Sequence, residues 1–326
     1  MPLLNNIGAL NYALEQEMEK DESVVVYGED VGYEGGVFRA TQGLQKKFGK
    51  DRCFDTPLAE AGIVGSAVGM AINGLKPIVE MQFSGFMLPA YNQIVAHVAR
   101  MRNRSRGKYN LPMVVRMPYG GGVRAPEHHS ESPEVLFSHI PGLKVVIPST
   151  PYDTKGLMLS AIRDSDPVIF MEPKRIYRAF KQEVPEKDYT IPIGKAKIVK
   201  EGEDITVVAW GAMVREAQKA AKEVEEKNGI NVELIDLRTI SPIDKETIIE
   251  SVQKTGRFLV AHEAVKSYGP GAELISTVNE GAFLYLEAPP TRLASPDVTV
   301  PLPKSEHFFM VDSKNIVAKI KELMDF

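Results

Sequence analysis

Short, largely apolar runs alternate with helical stretches along the whole chain, and few folds accommodate such an alternation. In the first half the runs are Val24–Tyr27, Ile78–Phe83, Met113–Met117 and Val168–Met171, with a further one inside "PGLKVVIP". In the second half they are Ile205–Ala209, Val232–Ile235 and Phe258–Ala261. A run without polar alternation has both of its faces covered, as a parallel strand does. Between the runs lie helical patterns. Leu10, Leu14 and Met18 recur at i, i+4 and i+8 in Asn5–Lys20, and Leu88–Arg104 and Tyr152–Arg163 also read as helices. Right-handed crossovers between such strands give an α/β fold. The expectation is two mostly parallel sheets with helices on both faces. Lys181–Ile193 is polar, carries Pro185 and Pro192, and reads as a linker. It divides the chain into domains 1–185 and 186–326.

Within the first half, "DTPLAEAGIVG" is the densest signal. Thr56 reads as a helix N-cap and Pro57 as the first helical residue, which puts Glu60 near the positive end of the helix dipole. Gly62, Gly65, Ser66, Gly69 and Asn73 then share one side of the helix. Each interior glycine costs roughly 0.5–1 kcal/mol against alanine, so something approaches this backbone closely. Tight packing against another helix is one reading. A carboxyl at a dry interface, raised in pKa and able to trade a proton, is the other. Spacing leaves both open.

Other candidates sit at strand ends. Glu29 and Asp30 follow the first apolar run, where ligands are met in open α/β sheets. Gln82 and Phe86 lie at or just past the end of Ile78–Phe83. "PYGGG" opens a loop that ends at His128-His129, and glycine-rich loops at strand ends often carry function. A net charge of −4 gives no case for nucleic acid or an anionic membrane. One cysteine excludes an internal disulfide and fits a reducing cytoplasm; Cys53 reads as a small buried hydrophobe. No signal-peptide pattern and no membrane-length apolar run is found, so a cytoplasmic protein is expected.

"DTPLAEAGIVG", "PIVEMQF", "APEHHSESPE" and "PGLKVVIPSTPYDTKGLMLSAIRDSDPVIFMEPK" together resemble the beta subunit of the decarboxylating component of 2-oxo acid dehydrogenase complexes. "GGVFR", "VIPSTPYDTKGL" and "IFMEPKRIYRA" are nearer the branched-chain member than the pyruvate member. The resemblance implies a pyrimidine-binding domain of transketolase type followed by a transketolase C-terminal-type domain. It implies thiamine diphosphate as cofactor, with Glu60 at the aminopyrimidine ring nitrogen. Glu29, Leu58, Gln82 and Phe86 would shape that pocket. Phe86 stands where relatives commonly carry a tyrosine. His129 matches the family's active-site histidine, suited to acyl transfer. Ala161, Asp164 and Asp166 match a loop that binds potassium in branched-chain relatives.

The superfamily's Gly-Asp-Gly motif for diphosphate and magnesium is missing. A separate alpha subunit would then hold both Mg2+ and the diphosphate, in an α2β2 heterotetramer, and a lipoyl-bearing acyltransferase would receive the acyl group. The expected reaction is decarboxylation of a branched-chain 2-oxo acid and reductive acylation of lipoamide. Pyruvate and acetoin dehydrogenase beta subunits remain as alternatives, as does a non-catalytic docking subunit. Transketolase and deoxyxylulose-phosphate synthase usually fuse both halves in one chain, and the length and the missing motif speak against them.

Overall fold

The computed structural model describes residues 1–326, which form two compact units. One comprises Met1–Tyr119 and Leu136–Ile193, the other Gly120–Val135 and Gly194–Phe326. The first unit thus runs on to Ile193, past the expected division after residue 185. Buried Lys155 explains this: its Nζ donates to the carbonyls of Pro185 (2.5 Å) and Lys187 (3.1 Å). The Ser160 hydroxyl donates to the Ile191 carbonyl at 2.6 Å. A polar segment resembles a linker in sequence even when its carbonyls face a buried ammonium.

In the first unit the strands are β1 (Val24–Gly28), β2 (Cys53–Asp55), β3 (Lys76–Glu80), β4 (Val114–Tyr119), β5 (Lys144–Val146) and β6 (Val168–Pro173). They lie in the order β5-β6-β4-β3-β1-β2, with every neighbouring pair parallel. Its main helices are α1 (Asn6–Lys20), α2 (Glu60–Ile72) and α3 (Pro151–Arg163). Leu10, Leu14 and Met18 of α1 pack with Leu157, Met158 and Ile162 of α3 over Val24, Val26 and Phe170. Successive strand side chains alternate between faces, so Tyr27 points the other way. Its hydroxyl donates to the Ile63 carbonyl at 3.0 Å, which places α2 on the opposite face. Cys53 is buried in this sheet. Burial, then the charge of Asp55, pushes its thiol up to about 12, so it stays protonated as a small apolar residue.

The start of α2 differs from the expected one. Helix begins at Glu60, with Ala59 at the N-cap and no side-chain cap. The Thr56 amide donates to the Gly28 carbonyl at 3.0 Å, extending the β1–β2 ladder, so Thr56 is committed to the sheet. Leu88–Arg104 is likewise broken: helix over Leu88–Gln93, a π turn over Ile94–Val98, then helix over Met101–Arg104.

In the second unit the strands are β7 (Lys197–Lys200), β8 (Ile205–Ala209), β9 (Val232–Asp236), β10 (Phe258–Val265) and β11 (Thr291–Ser295). Their order is β11-β10-β8-β9-β7, and only β7 runs antiparallel to its neighbour. Its main helices are α4 (Ala212–Asn228), α5 (Lys245–Thr255), α6 (Pro270–Ala282) and α7 (Ser313–Met324). Val207, Ala209, Leu234 and Leu259 pack against α4 and α7. Thr206, of opposite parity, meets Ser251 and Thr255 of α5 through its hydroxyl at 2.7 Å each. Both sheets are therefore covered on two faces, as the apolar runs required. No helix is long and apolar enough to cross a membrane.

Candidate active site

The first unit gathers acidic and aromatic groups past the C-terminal ends of β1 and β3. Gly28 closes β1 in close approach to β3: a Cβ there would lie 2.7 Å from the Glu80 carbonyl oxygen. The chain then turns sharply. Asp30 holds a left-handed φ of 57°, and its carboxylate accepts from Gln82 Nε2 at 3.0 Å. Asp55, at the end of β2, fixes the following loop by accepting from the amides of Gly32 (2.6 Å) and Tyr33 (3.2 Å). Glu29 is buried on the same turn. Burial raises its pKa, and the charges of Glu60 and Asp30 raise it further. Its Oε1 is buried without a hydrogen-bond partner. Glu60 is the first residue of α2, 9% exposed, at the positive end of the helix dipole. Phe86 follows Gln82 and meets Phe83 edge-on at 5.5 Å.

Glu29, Glu60 and Gln82 are thus brought close, with Asp30 as a fourth member. Asp30 is legible in the sequence only as the neighbour of Glu29 at a strand end; its bond to Gln82, 52 residues away, leaves no local mark. Leu58 stands apart, 79% exposed at a bend before α2. Chemically, the charge of Glu60, after burial, helps Glu29 hold a proton. One orphaned carboxyl oxygen, a nearby aromatic face and a helix-start carboxyl suit a flat, nitrogen-rich ring. The residues present therefore fit an aminopyrimidine.

His129 lies in the second unit, on the loop Gly120–Val135. It closes a short 3-10 turn, its amide donating to the Pro126 carbonyl at 2.9 Å. His129 is half-buried and His128 exposed.

The two carboxylates expected at a potassium ion are paired with cations of this chain. Both carboxylate oxygens of Asp164 accept from Lys144 Nζ, at 2.7 and 2.6 Å. Asp166 pairs with Arg102 Nε at 2.6 Å, and the Ala161 carbonyl accepts from the Asp164 amide. An ammonium and a guanidinium already supply the charge that a potassium ion would bring. Sequence matching finds the carboxylates but not the distant lysine and arginine that reach them. No cluster of three or more His, Cys, Asp or Glu forms a candidate metal site.

One buried acid lies at the end of the His129 loop. Glu134 is fully buried and accepts from Trp210 Nε1 at 3.3 Å, while Trp210 stacks on buried His262. Burial above all, with the charge of Glu263, pushes Glu134 up to about 8. Burial, then Arg292, pushes His262 down to about 4. The two oppose each other in pH dependence. As pH rises from about 4 to 6.5, keeping His262 neutral costs progressively less and stability rises. As pH rises from 4.5 to about 8, the unfolded chain ionises Glu134's carboxyl while the folded one holds its proton, so stability falls. Between 6.5 and about 8 only the second effect remains. Stability is expected to fall there by about 1.4 kcal/mol per pH unit, and Glu134→Gln to remove most of that slope. Urea denaturation at several pH values checks it; an equal slope in the variant assigns the effect elsewhere.

Comparison with known proteins agrees with this division. Residues 4–179 match the family "Transketolase, pyrimidine binding domain", and residues 194–316 match "Transketolase, C-terminal domain". The pyruvate dehydrogenase E1 component subunit beta of Acholeplasma laidlawii is 65% identical over 323 residues, covering 99% of this chain and 98% of its own length. This chain belongs to the family of 2-oxo acid dehydrogenase E1 beta subunits. The E1 beta subunit of pyruvate dehydrogenase from Bacillus subtilis is 50% identical over the full length of both chains. That from Mycoplasma genitalium is 52% identical over 98% of each. A solved structure titled "Split gene transketolase, inactive beta4 tetramer" superposes with a TM-score of 0.81 at 22% identity, over 99% of this chain and 98% of that one, and shows the shared fold. These E1 beta relatives are named for pyruvate, so they favour the pyruvate alternative over the branched-chain reading.

Proposed function

We propose that this chain is the beta half of a cytoplasmic, thiamine-diphosphate-dependent pyruvate dehydrogenase E1 component. The observation that carries the proposal is buried Glu29, past the end of β1, within reach of the charge of Glu60 at the start of α2, in residues that match a pyrimidine-binding domain. When bound, thiamine diphosphate supplies the electron sink for decarboxylation. Glu60 holds or moves a proton at the aminopyrimidine ring nitrogen. Glu29 borders the same place, its own pKa raised by burial first and then by the charges of Glu60 and Asp30. Phe86 offers an aromatic face to the ring, and Gln82, held by Asp30, borders it. Exposed Leu58 completes the pocket once covered by a partner chain. His129 assists acyl transfer to lipoamide on the acyltransferase component.

Without Gly-Asp-Gly, the chain depends on an alpha subunit for magnesium and the diphosphate, in an α2β2 assembly. The names of the E1 beta relatives support pyruvate as substrate. The test measures decarboxylation of pyruvate, 3-methyl-2-oxobutanoate and acetoin cleavage by this chain, with and without a Gly-Asp-Gly-bearing alpha chain. Turnover only with both chains, and a higher kcat/KM for pyruvate, is expected. Activity from the beta chain alone overturns the split site; preference for the branched substrate overturns the pyruvate assignment.

A further inference from the structure

The loop that carries His129 is closed on itself and seated on one carboxylate. The Gly120 amide donates to the Glu131 carbonyl at 3.0 Å, closing the loop's base. The Ser130 hydroxyl donates to the Ala125 carbonyl at 3.1 Å, tying the residue after His129 to the opposite limb. On that limb the Gly122 amide donates to Glu306 Oε1 at 2.8 Å, and the Arg124 amide to Glu306 Oε2 at 3.1 Å. Both residues hold left-handed φ, 82° and 57°, which turns their N–H groups inward toward one anion. Glu306 is buried, and charge-assisted bonds from amide to carboxylate are about twice as strong as neutral ones. The seat is close-fitting. A Cβ on Gly121 would lie 2.7 Å from Met310 Sδ and 3.3 Å from Glu306 Oε1.

We propose that Glu306 is a positioning residue for His129, fixing the loop from a point almost 180 residues further along the chain. The inference deepens the assignment of His129 to acyl transfer and rests on it for its kinetic part. The geometry of the seat stands without it. Glutamine keeps the shape of Glu306 but offers one acceptor oxygen and turns an NH2 donor toward the other amide. Alanine removes both acceptors.

The test uses the assembled alpha–beta enzyme and has two arms. Hydrogen exchange of the 120–131 segment is expected to speed up in Glu306→Gln and further in Glu306→Ala. Reductive acylation of lipoamide is expected to fall about tenfold and a hundredfold in kcat respectively, with the KM for pyruvate unchanged. Decarboxylation read with an artificial electron acceptor is expected to change less. The loss should not add to that of His129→Ala. Gly121→Ala is expected to reproduce the defect by pushing the loop off Met310, Met310→Ala alone to be near-neutral, and the double variant to recover. Unchanged exchange in the Glu306 variants refutes the seat. Faster exchange with unchanged acylation refutes positioning. If His129→Ala itself leaves acylation intact, the role of His129 fails, and the exchange arm still decides the seat.

Discussion

Glu60→Gln is expected to lower turnover of the assembled enzyme by about 10²–10⁴-fold, the range that a positioned acid–base group contributes. The amide fills the same space at the first position of α2, so the helix start and the chain's assembly should survive. What it cannot do is give or take a proton at a ring nitrogen. A second signature separates this from simple damage. Part of the upward shift of Glu29 comes from the charge of Glu60, after burial. Removing that charge should bring the pKa of Glu29 down, visible in the pH dependence of cofactor affinity. Binding of thiamine diphosphate should persist, since the diphosphate and magnesium are held elsewhere in the proposed assembly. A variant that turns over at near-normal rate, with the pH profile unmoved, removes Glu60 from the chemistry.

The fold was legible because its strands are apolar on both faces. Val24–Tyr27 and Ile205–Ala209 were readable to within a residue, because a strand buried on both sides has no polar position to blur it. The edge strand β7, Lys197–Lys200, was not, because its lysines make it read as loop and only pairing with β9 makes it a strand. Helix starts were legible where a side chain caps them, as Thr150 caps α3, and misread where the sheet claims the cap, as at Thr56. The site divides along the same line. Glu60 carries a local signature, a run of small residues after an acid at a helix start. The hydrogen bonds of Asp30, Lys144 and Glu306 reach across 52, 20 and more than 180 residues, and no local pattern records such distances.

Arg116→Leu is expected to destabilise the first unit by about 3–5 kcal/mol, enough to leave much of the chain unfolded at growth temperature. Arg116 sits on β4, 1% exposed, between carboxylates on both neighbouring strands. Its Nε and Nη2 each donate to Glu172 on β6 at 2.7 Å, and its Nη1 pairs with Glu80 on β3. The Tyr177 hydroxyl donates to Glu172 as well. One guanidinium thus compensates two buried carboxylates, and its loss strands both in a dry sheet. Each of the three stands in the sequence as a charged residue inside or just after an apolar run, in "IVEM", "VVRM" and "IFMEP". Their meeting required the order β6-β4-β3, which sequence adjacency does not give. Glu80 is two residues before Gln82, so the network also fixes the strand end that leads into the proposed pyrimidine pocket. Adding Glu80→Gln and Glu172→Gln to Arg116→Leu should recover much of the lost stability, because neutral amides cost far less to bury than ions. Urea denaturation of the single, double and triple variants makes the comparison. A single variant that loses less than about 1 kcal/mol, or a triple variant no better than the single, would mean that packing rather than charge holds this strand end.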